Sequence, residues 1–233
     1  MGVVESVERA AFGAAIDGVI KNIKKDPKKN LLKIVDLAER MMGGSDKGFR
    51  SAAFAGARDL INDEDSKWMR YVVRVLKETD PHVAKMTALN LGYQAAFKGT
   101  KMIRENREKY GCNIPWLILM DPTSACNLRC KGCWAAEYGH KLNLTFEELD
   151  SIVTQGKKLG IFFYMFTGGE PLVRKADLIK LCEKHNECAF HSYTNGTLVD
   201  QAFCDEMKRV GNLSLSISLE GFEDANDFRR GEG

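Results

Sequence analysis

The stretch IPWLILMDPTSACNLRCKGC, residues 114–133, decides the fold of the second half of the chain. Its first part, residues 114–120, is a short apolar run typical of a buried strand in a parallel sheet. Its second part places Cys126, Cys130 and Cys133 within eight residues, just beyond that strand. A strand followed at once by clustered thiols predicts an α/β fold with a chemical site at the carboxyl end of the strand.

Apolar strand-like runs alternate with helix-like segments from residue 112 to the end. Thr145, followed three residues later by Glu148, makes a capping box that predicts the start of the first of these helices. The predicted strands are residues 114–120, 161–166, 188–193 and 213–219, and the predicted helices are residues 145–159, 175–185 and 201–210. This alternation predicts right-handed βαβ units and a parallel sheet, whose ligands bind at the carboxyl ends of the strands.

The first half of the chain has the spacing of helices throughout. Apolar residues recur every three or four positions, and Pro27 and Pro81 suit the starts of new helices. We therefore predict an all-α domain of about five helices over residues 1–111, followed by an α/β domain over residues 112–233.

Composition excludes several classes of protein. The 233 residues are 44% hydrophobic and carry a net charge of +2, which argues against a disordered chain and against a nucleic-acid-binding protein. The longest apolar run is far shorter than the roughly 20 residues of a membrane span, and the first residues lack a secretory signal. Seven cysteines in such a chain favour metal or redox chemistry and a cytoplasmic location over a disulfide framework.

The cysteine pattern C-x3-C-x2-C suits an iron–sulfur cluster, because three thiolates on one loop can bind three of its corners. Gly132 allows a tight turn, while Arg129 and Lys131 favour the thiolate form. With no fourth cysteine nearby, one iron stays open for another ligand. Zinc with His140 as fourth ligand is the alternative at this loop. A non-catalytic iron–sulfur or zinc module with a helical interaction domain is the corresponding alternative function.

Polar motifs follow the other predicted strands. Gly168-Gly169-Glu170 follows the second strand, Thr194-Asn195-Gly196 the third and Glu220-Gly221 the fourth. Glu170 offers an acceptor suited to an ammonium group. In this order the motifs CNLRCKGC, TGGEP, TNG and SLEG resemble those of the radical S-adenosylmethionine (radical SAM) enzyme superfamily, over about residues 114–233.

The resemblance implies a partial (β/α) barrel with a 4Fe–4S cluster bound by Cys126, Cys130 and Cys133. It implies S-adenosylmethionine at the open iron and its reductive cleavage to a 5′-deoxyadenosyl radical that abstracts hydrogen from a substrate. The residues that it implies for cofactor binding are Gly168, Gly169, Glu170, Asn195, Ser218, Glu220 and Arg230, with Arg229 as the second choice for the arginine. Read without the resemblance, these residues suit ordinary turns, sheet polarity and solvated arginines.

Two departures from the family pattern stand out. Gly132 occupies the position where many members have an aromatic residue near the adenine, and Trp134 or Tyr138 is the substitute that we expect. The family core has six strands and this sequence supplies four, so we expect a partial, apparently truncated barrel.

The resemblance also implies partners. These are a small-molecule or peptide substrate, with residues 226–231 favouring peptide-modifying members, and a low-potential electron donor such as flavodoxin or ferredoxin. For Cys182, Cys188 and Cys204 we favour buried structural thiols over a second cluster. His191 is predicted to be a hydrogen-bonded histidine within its strand.

Overall fold

The computed structural model describes residues 3–22, 25–42, 49–63, 65–135, 139 and 141–232. The chain divides into two compact units, Met1–Leu89 and Asn90–Gly233. The sequence predicted a division after residue 111. The division in the structure comes earlier, after Leu89, so that residues 90–111 belong to the α/β unit. Within the described part of the chain, no helix is both long and apolar enough to cross a bilayer.

The first unit is helical, as its apolar spacing predicts. Ser66 begins the fourth helix by accepting from the Met69 N–H, and Asp80 begins the fifth by accepting from the N–H groups of His82 and Val83. A salt bridge of 2.6 Å joins Lys85 to Asp17. The helices are α1 (Val3–Asn22), α2 (Pro27–Met42), α3 (Phe49–Asn62), α4 (Lys67–Glu78) and α5 (Pro81–Thr87).

A π-helical segment, Ala88–Gly99, follows α5 and continues into α6 (Thr100–Tyr110). Its residues from Asn90 onward pack within the second unit. The Asn90 amide donates to the carbonyl oxygens of Asn186 (2.9 Å) and Cys188 (2.8 Å). At Gly99 a Cβ atom would lie 2.5 Å from the Gly160 carbonyl oxygen. These contacts explain why the α/β unit begins before the end of the helical sequence.

The second unit contains a four-stranded parallel sheet in the order β1-β2-β3-β4. The parallel α/β architecture is thereby confirmed. Its strands are β1 (Leu117–Met120), β2 (Phe163–Phe166), β3 (Ala189–Thr194) and β4 (Leu213–Ile217). Its helices after α6 are α7 (Phe146–Leu159), α8 (Lys175–Lys184), α9 (Gln201–Val210) and α10 (Glu223–Arg230), with a 3-10 turn at Pro171–Arg174.

Two local predictions met different outcomes. The capping box of α7 is confirmed, because Thr145 Oγ1 accepts from the Glu148 N–H and Glu148 Oε2 accepts from the Thr145 N–H. The predicted start of β1 at Ile114 was wrong: the strand begins at Leu117, and Pro115 has no N–H for a sheet. The sequence interpretation also missed α10, whose eight residues carry no buried side chain.

The core of this unit lies between the sheet and helices α7, α8 and α9. Tyr164, Phe166 and Phe190 stack in it with ring centroids 5.7 and 5.8 Å apart. Alternate strand residues face the other side, where Leu119 and Tyr193 are about half exposed. Among the described residues, the packed core therefore lies against one face of the sheet.

Candidate active site

The three clustered cysteines lie on the loop after β1, at the carboxyl end of the sheet. All three thiols are half-buried and line one cavity of about 150 Å³. The other residues around this cavity come from the ends of β2, β3 and β4 and from α10. They are Thr167, Gly169, Glu170, Tyr193, Thr194, Asn195, Ser218, Arg229 and Arg230. Four successive strand ends therefore contribute to one site.

The arrangement of the three thiols around a cavity suits a cluster. Among the described residues, no three His, Cys, Asp or Glu side chains converge on one ion-sized position. In an iron–sulfur cluster each thiolate binds a different iron, so its ligands stand around a cavity. Cys126 Sγ accepts from the Leu128 N–H at 3.4 Å. Burial raises the pKa of Cys126, and the proximity of Glu170, Cys130 and Cys133 raises it further.

Gly168 and Gly169 fit the second motif against the cysteine loop. The Gly169 N–H donates to the Thr123 carbonyl (3.0 Å), and the Glu170 N–H donates to the Ala125 carbonyl (2.8 Å). A Cβ atom on Gly169 would lie 2.2 Å from the Ala125 oxygen. Besides the close approach to a ligand that the sequence predicts for these glycines, both approach the backbone that leads into the cysteine loop.

Glu170 is a buried carboxylate, with 1% of the residue exposed. Its Oε1 accepts from the Leu172 N–H (3.0 Å) and from Thr194 Oγ1 (2.8 Å), and its Oε2 accepts from the Asn195 N–H (2.8 Å). Three donors fix the orientation of the carboxylate and offset part of the cost of burying its charge. Because Glu170 also lines the cavity, it presents a fixed negative charge there.

A chain of amide hydrogen bonds links the cysteine loop to the end of β3. The Asn195 amide donates to Asn127 Oδ1 (2.9 Å), and the Asn127 amide donates to Thr197 Oγ1 (2.7 Å). The sequence interpretation named Asn195 and missed its partners Asn127 and Thr197. A polar side chain directly after the first cysteine was the available signal, since Asn and Thr side chains commonly fix loops by such bonds.

Arg230 reaches the site from α10. Its Nη2 pairs with Glu220 Oε1 at 2.6 Å, and its Nη1 lies 3.9 Å from Cys130 Sγ. Its Nε is buried and has no hydrogen-bond partner among the described residues. Arg229 also approaches Glu220 (3.3 Å), but its side chain is 46% exposed against 16% for Arg230. The structure thus brings both candidate arginines to the cavity, with the first choice half-buried and less exposed than the second.

The remaining candidates at the fourth strand divide between two positions. Ser218 lines the cavity, and its N–H donates to the Thr194 carbonyl at 2.9 Å. Glu220 is turned toward the two arginines and is not among the residues that line the cavity. Its place in the described structure is therefore that of a partner for arginine.

Of the two aromatic residues expected to substitute at Gly132, the structure describes Trp134. Trp134 is 55% exposed and lines a different cavity of about 570 Å³, which it shares with Asp121, Gly168 and Gly169. Tyr138 and His140 lie outside the described residues.

Cys182, Cys188 and the histidine of β3 occupy the places expected of structural residues, whereas Cys204 on α9 is only half-buried. Cys182 and Cys188 are fully buried, and burial raises the pKa of Cys182 well above its ordinary value. His191 forms hydrogen bonds with the hydroxyls of Ser214 (2.8 Å) and Ser216 (2.9 Å).

The sequence of this chain is similar to one family model and to several known enzymes. Residues 120–233 match the family model described as the radical SAM superfamily. The chain is 32% identical over 119 residues to the Fe-coproporphyrin III synthase of Methanosarcina barkeri, which covers 49% of this chain and 30% of the relative. It is 38% identical over 120 residues to the GTP 3′,8-cyclase of Petrotoga mobilis. This match covers 48% of this chain and 36% of that relative. The chain thus spans about a third of the length of these relatives.

Among solved structures, the chain is similar to Streptococcus suis SuiB bound to S-adenosylmethionine. The TM-score is 0.49 at 17% identity, over 76% of this chain and 41% of SuiB.

Proposed function

We propose, on the premise that residues 120–233 belong to the radical SAM superfamily, that this unit binds a 4Fe–4S cluster and S-adenosylmethionine and starts a radical reaction with them. One observation carries the proposal. Three thiols, a buried carboxylate and a half-buried arginine surround the same cavity at the carboxyl ends of four parallel strands. Each of these groups suits one part of that cofactor pair.

The residues divide the binding between them. Cys126, Cys130 and Cys133 hold the cluster, which when bound supplies the electron that cleaves S-adenosylmethionine to a hydrogen-abstracting radical. Glu170, oriented by its three donors, receives the positive ammonium group of the methionyl part. Arg230, whose Nε is buried with no hydrogen-bond partner among the described residues, receives the negative carboxylate.

Gly168, Gly169, Asn195 and Ser218 complete the proposed cofactor site. The glycines hold the cysteine loop against the end of β2, and the Asn195 amide holds it against the end of β3. Ser218 offers a hydroxyl at the cavity. In this proposal Glu220 orients Arg230, because the pair is only 2.6 Å apart. A ligand placed between these groups meets donors and acceptors that are already oriented.

The substrate in this proposal is a small molecule or a peptide. The two relatives are named for different reactions, the synthesis of Fe-coproporphyrin III and the cyclisation of GTP. Similarity to them therefore does not select one of these two reactions for this chain. The segment at residues 226–231 supports a peptide. A low-potential donor such as flavodoxin or ferredoxin supplies the electron, and the clustered cysteines favour a cytoplasmic location.

Anaerobic reconstitution with iron and sulfide tests the proposal. We expect a brown protein with absorbance near ~400 nm and a four-iron electron paramagnetic resonance signal that changes when S-adenosylmethionine is added. Bound zinc without iron would contradict the assignment of the cysteines. A four-iron signal that ignores S-adenosylmethionine would contradict the second half of the proposal and support a non-catalytic cluster module.

The Glu170→Gln variant tests S-adenosylmethionine binding separately from cluster binding. The variant should retain the iron signal and bind S-adenosylmethionine about tenfold more weakly, since a charge-assisted contact to the ammonium is lost. Glu206→Gln removes a carboxylate on α9 that pairs with Arg209 outside the site and serves as the control. Unchanged affinity in Glu170→Gln would remove this residue from the cofactor site.

A further inference from the structure

Helix α4 of the first unit has an exposed aromatic side that its own unit does not cover. Trp68 is 69% exposed, Tyr71 52% and Val75 38%, and no residue of the helix is fully buried. The Trp68 and Tyr71 rings pack edge to face, with centroids 6.4 Å apart. At successive spacings of three and four residues, these side chains form one stripe along the helix. Large apolar side chains gathered in this way indicate a contact surface.

A basic stripe runs beside the aromatic one. Lys67, Arg70, Arg74 and Lys77 are all exposed and follow the same three- and four-residue spacing. Among the described residues none of these four forms an ion pair; Arg70 donates to the Asp65 carbonyl, and Arg74 lies 5.8 Å from the centre of the Tyr71 ring. The exposed side of α4 therefore presents cations and aromatic rings in adjacent rows.

The charge of this helix is distinctive within its unit. Residues 1–89 contain 16 Lys and Arg against 13 Asp and Glu, a net charge of +3, and α4 alone contains four against one, also +3. Asp63 and Asp65 precede the N-cap, so their carboxylates stand at one end of the helix and not along the stripe. The opposite side of α4, carrying Val72 and Leu76, is half-buried. Its exposed side is therefore the one available to a partner.

We infer that α4 docks the protein on the surface of an anionic lipid bilayer. Trp and Tyr favour the boundary between lipid headgroups and acyl chains, and flanking Lys and Arg pair with anionic headgroups. The helix is about 18 Å long and exposes three apolar side chains. The area that they present is small beside the roughly 800 Å² per partner that a stable protein interface buries. A planar charged surface needs no such area, because each cation adds its own attraction.

This inference is independent of the radical chemistry proposed above and leaves the chain outside the bilayer core. The aromatic stripe would enter the headgroup region while the basic stripe stays at its surface. Binding should therefore need both anionic lipid and the aromatic side chains.

Vesicle flotation with the full 233-residue chain tests the inference. We expect the chain to float with vesicles of phosphatidylcholine and phosphatidylglycerol, and to stay behind with phosphatidylcholine alone. About 0.5 M salt should release it, because the screening length falls to roughly 4 Å. Lys67→Gln with Lys77→Gln should lower the partition coefficient by roughly 10- to 30-fold, and Trp68→Ser by about tenfold.

Matched controls keep the result specific. Lys101→Gln with Lys208→Gln removes the same charge from exposed positions of α6 and α9, and Phe222→Ser removes a ring that is 96% exposed before α10. All variants replace exposed side chains, and circular dichroism checks that each is folded. Failure of the parent chain to float with anionic vesicles would overturn the inference and leave the stripe to an acidic protein surface. Equal losses in the controls would overturn it as well.

Discussion

The two ends of the four-stranded sheet both gather cysteines and buried polar side chains, and they use them differently. At the carboxyl end three half-buried thiols line a cavity with Glu170 and Arg230. At the amino end Cys182 and Cys188 are fully buried in the apolar core. There Asn212 donates to three carbonyl oxygens, those of Cys182 (3.0 Å), Cys188 (3.1 Å) and His185 (3.4 Å).

The two ends of the sheet differ in the hydrogen-bond partners of their buried polar side chains. At the amino end side-chain amides donate to main-chain carbonyls, so they close the turn that leads into β3. At the carboxyl end the Glu170 side chain, which lines a cavity, accepts from the Thr194 side chain and from the Asn195 N–H, and Arg230 pairs with Glu220. Buried polar groups of the first kind secure the fold, whereas those of the second kind are oriented toward something that the protein binds.

The largest expected effect separates the two sets of cysteines. Cys130→Ala should lose essentially all cluster iron after reconstitution and keep the stability of the fold, because its thiol faces the cavity. Cys182→Ala should keep the iron and lose about 1–2 kcal/mol of unfolding free energy through the missing buried sulfur. Iron analysis and urea unfolding of both variants measure this, and iron loss in Cys182→Ala would break the comparison.

A glycine pair tests the close packing at the carboxyl end. Gly169→Ala places a Cβ atom 2.2 Å from the Ala125 oxygen, so we expect a loss of about 2–3 kcal/mol of unfolding free energy and poorer iron incorporation. Gly56→Ala on α3 meets no atom within 4 Å and should stabilise its helix by up to about 1 kcal/mol. Equal stability of Gly169→Ala and the parent protein would show that the loop can move aside freely.

A pair of asparagines compares the two ends directly. Asn212→Ala leaves buried carbonyls short of a donor, and we expect it to cost about 2 kcal/mol of unfolding free energy. Asn195→Ala loses side-chain bonds to the half-exposed loop and should cost less than about 1 kcal/mol, while weakening cluster retention. Denaturant titration and iron-release rates check both, and the reverse order of stability would contradict the comparison.

The smallest expected effect is a pH dependence at the amino end. Burial lowers the pKa of His185 below its ordinary value of 6.5, against an opposing bond of 2.9 Å to Asp150. The unfolded chain then binds more protons as the pH falls through 6.5, so stability should decline toward acidic pH by about 1 kcal/mol or less. Thermal unfolding between pH 7.5 and 5.5 should be less pH-dependent in His185→Asn.

His82→Asn, an exposed position on α5, is the control for that measurement. His191, whose pKa is also lowered by burial, acts in the same direction, so the pH dependence of His185→Asn should fall without disappearing. An unchanged slope in His185→Asn would remove this residue from the acid response.

The sequence predicted most of the α/β unit because its signals are local. Apolar runs located the strands, and Thr145 with Glu148 located the start of α7. The division between units was not local: Asn90 has a helical sequence, yet its amide reaches Cys188, a partner 98 residues away. The pairing of Asn127 with Asn195 was hidden for the same reason. Spacing reveals which side chains share an element and not which distant carbonyl or amide they meet.

The cysteine loop is fixed by parts of the chain that are made much later. Asn195, 68 residues beyond Asn127, supplies one hydrogen bond to it, and Arg229 accepts another from the Lys131 N–H. During synthesis the three thiols leave the ribosome before either restraint exists. The loop takes its final form only when the end of β3 and α10 are in place. The order of synthesis therefore delays the tight site until its supporting elements have folded.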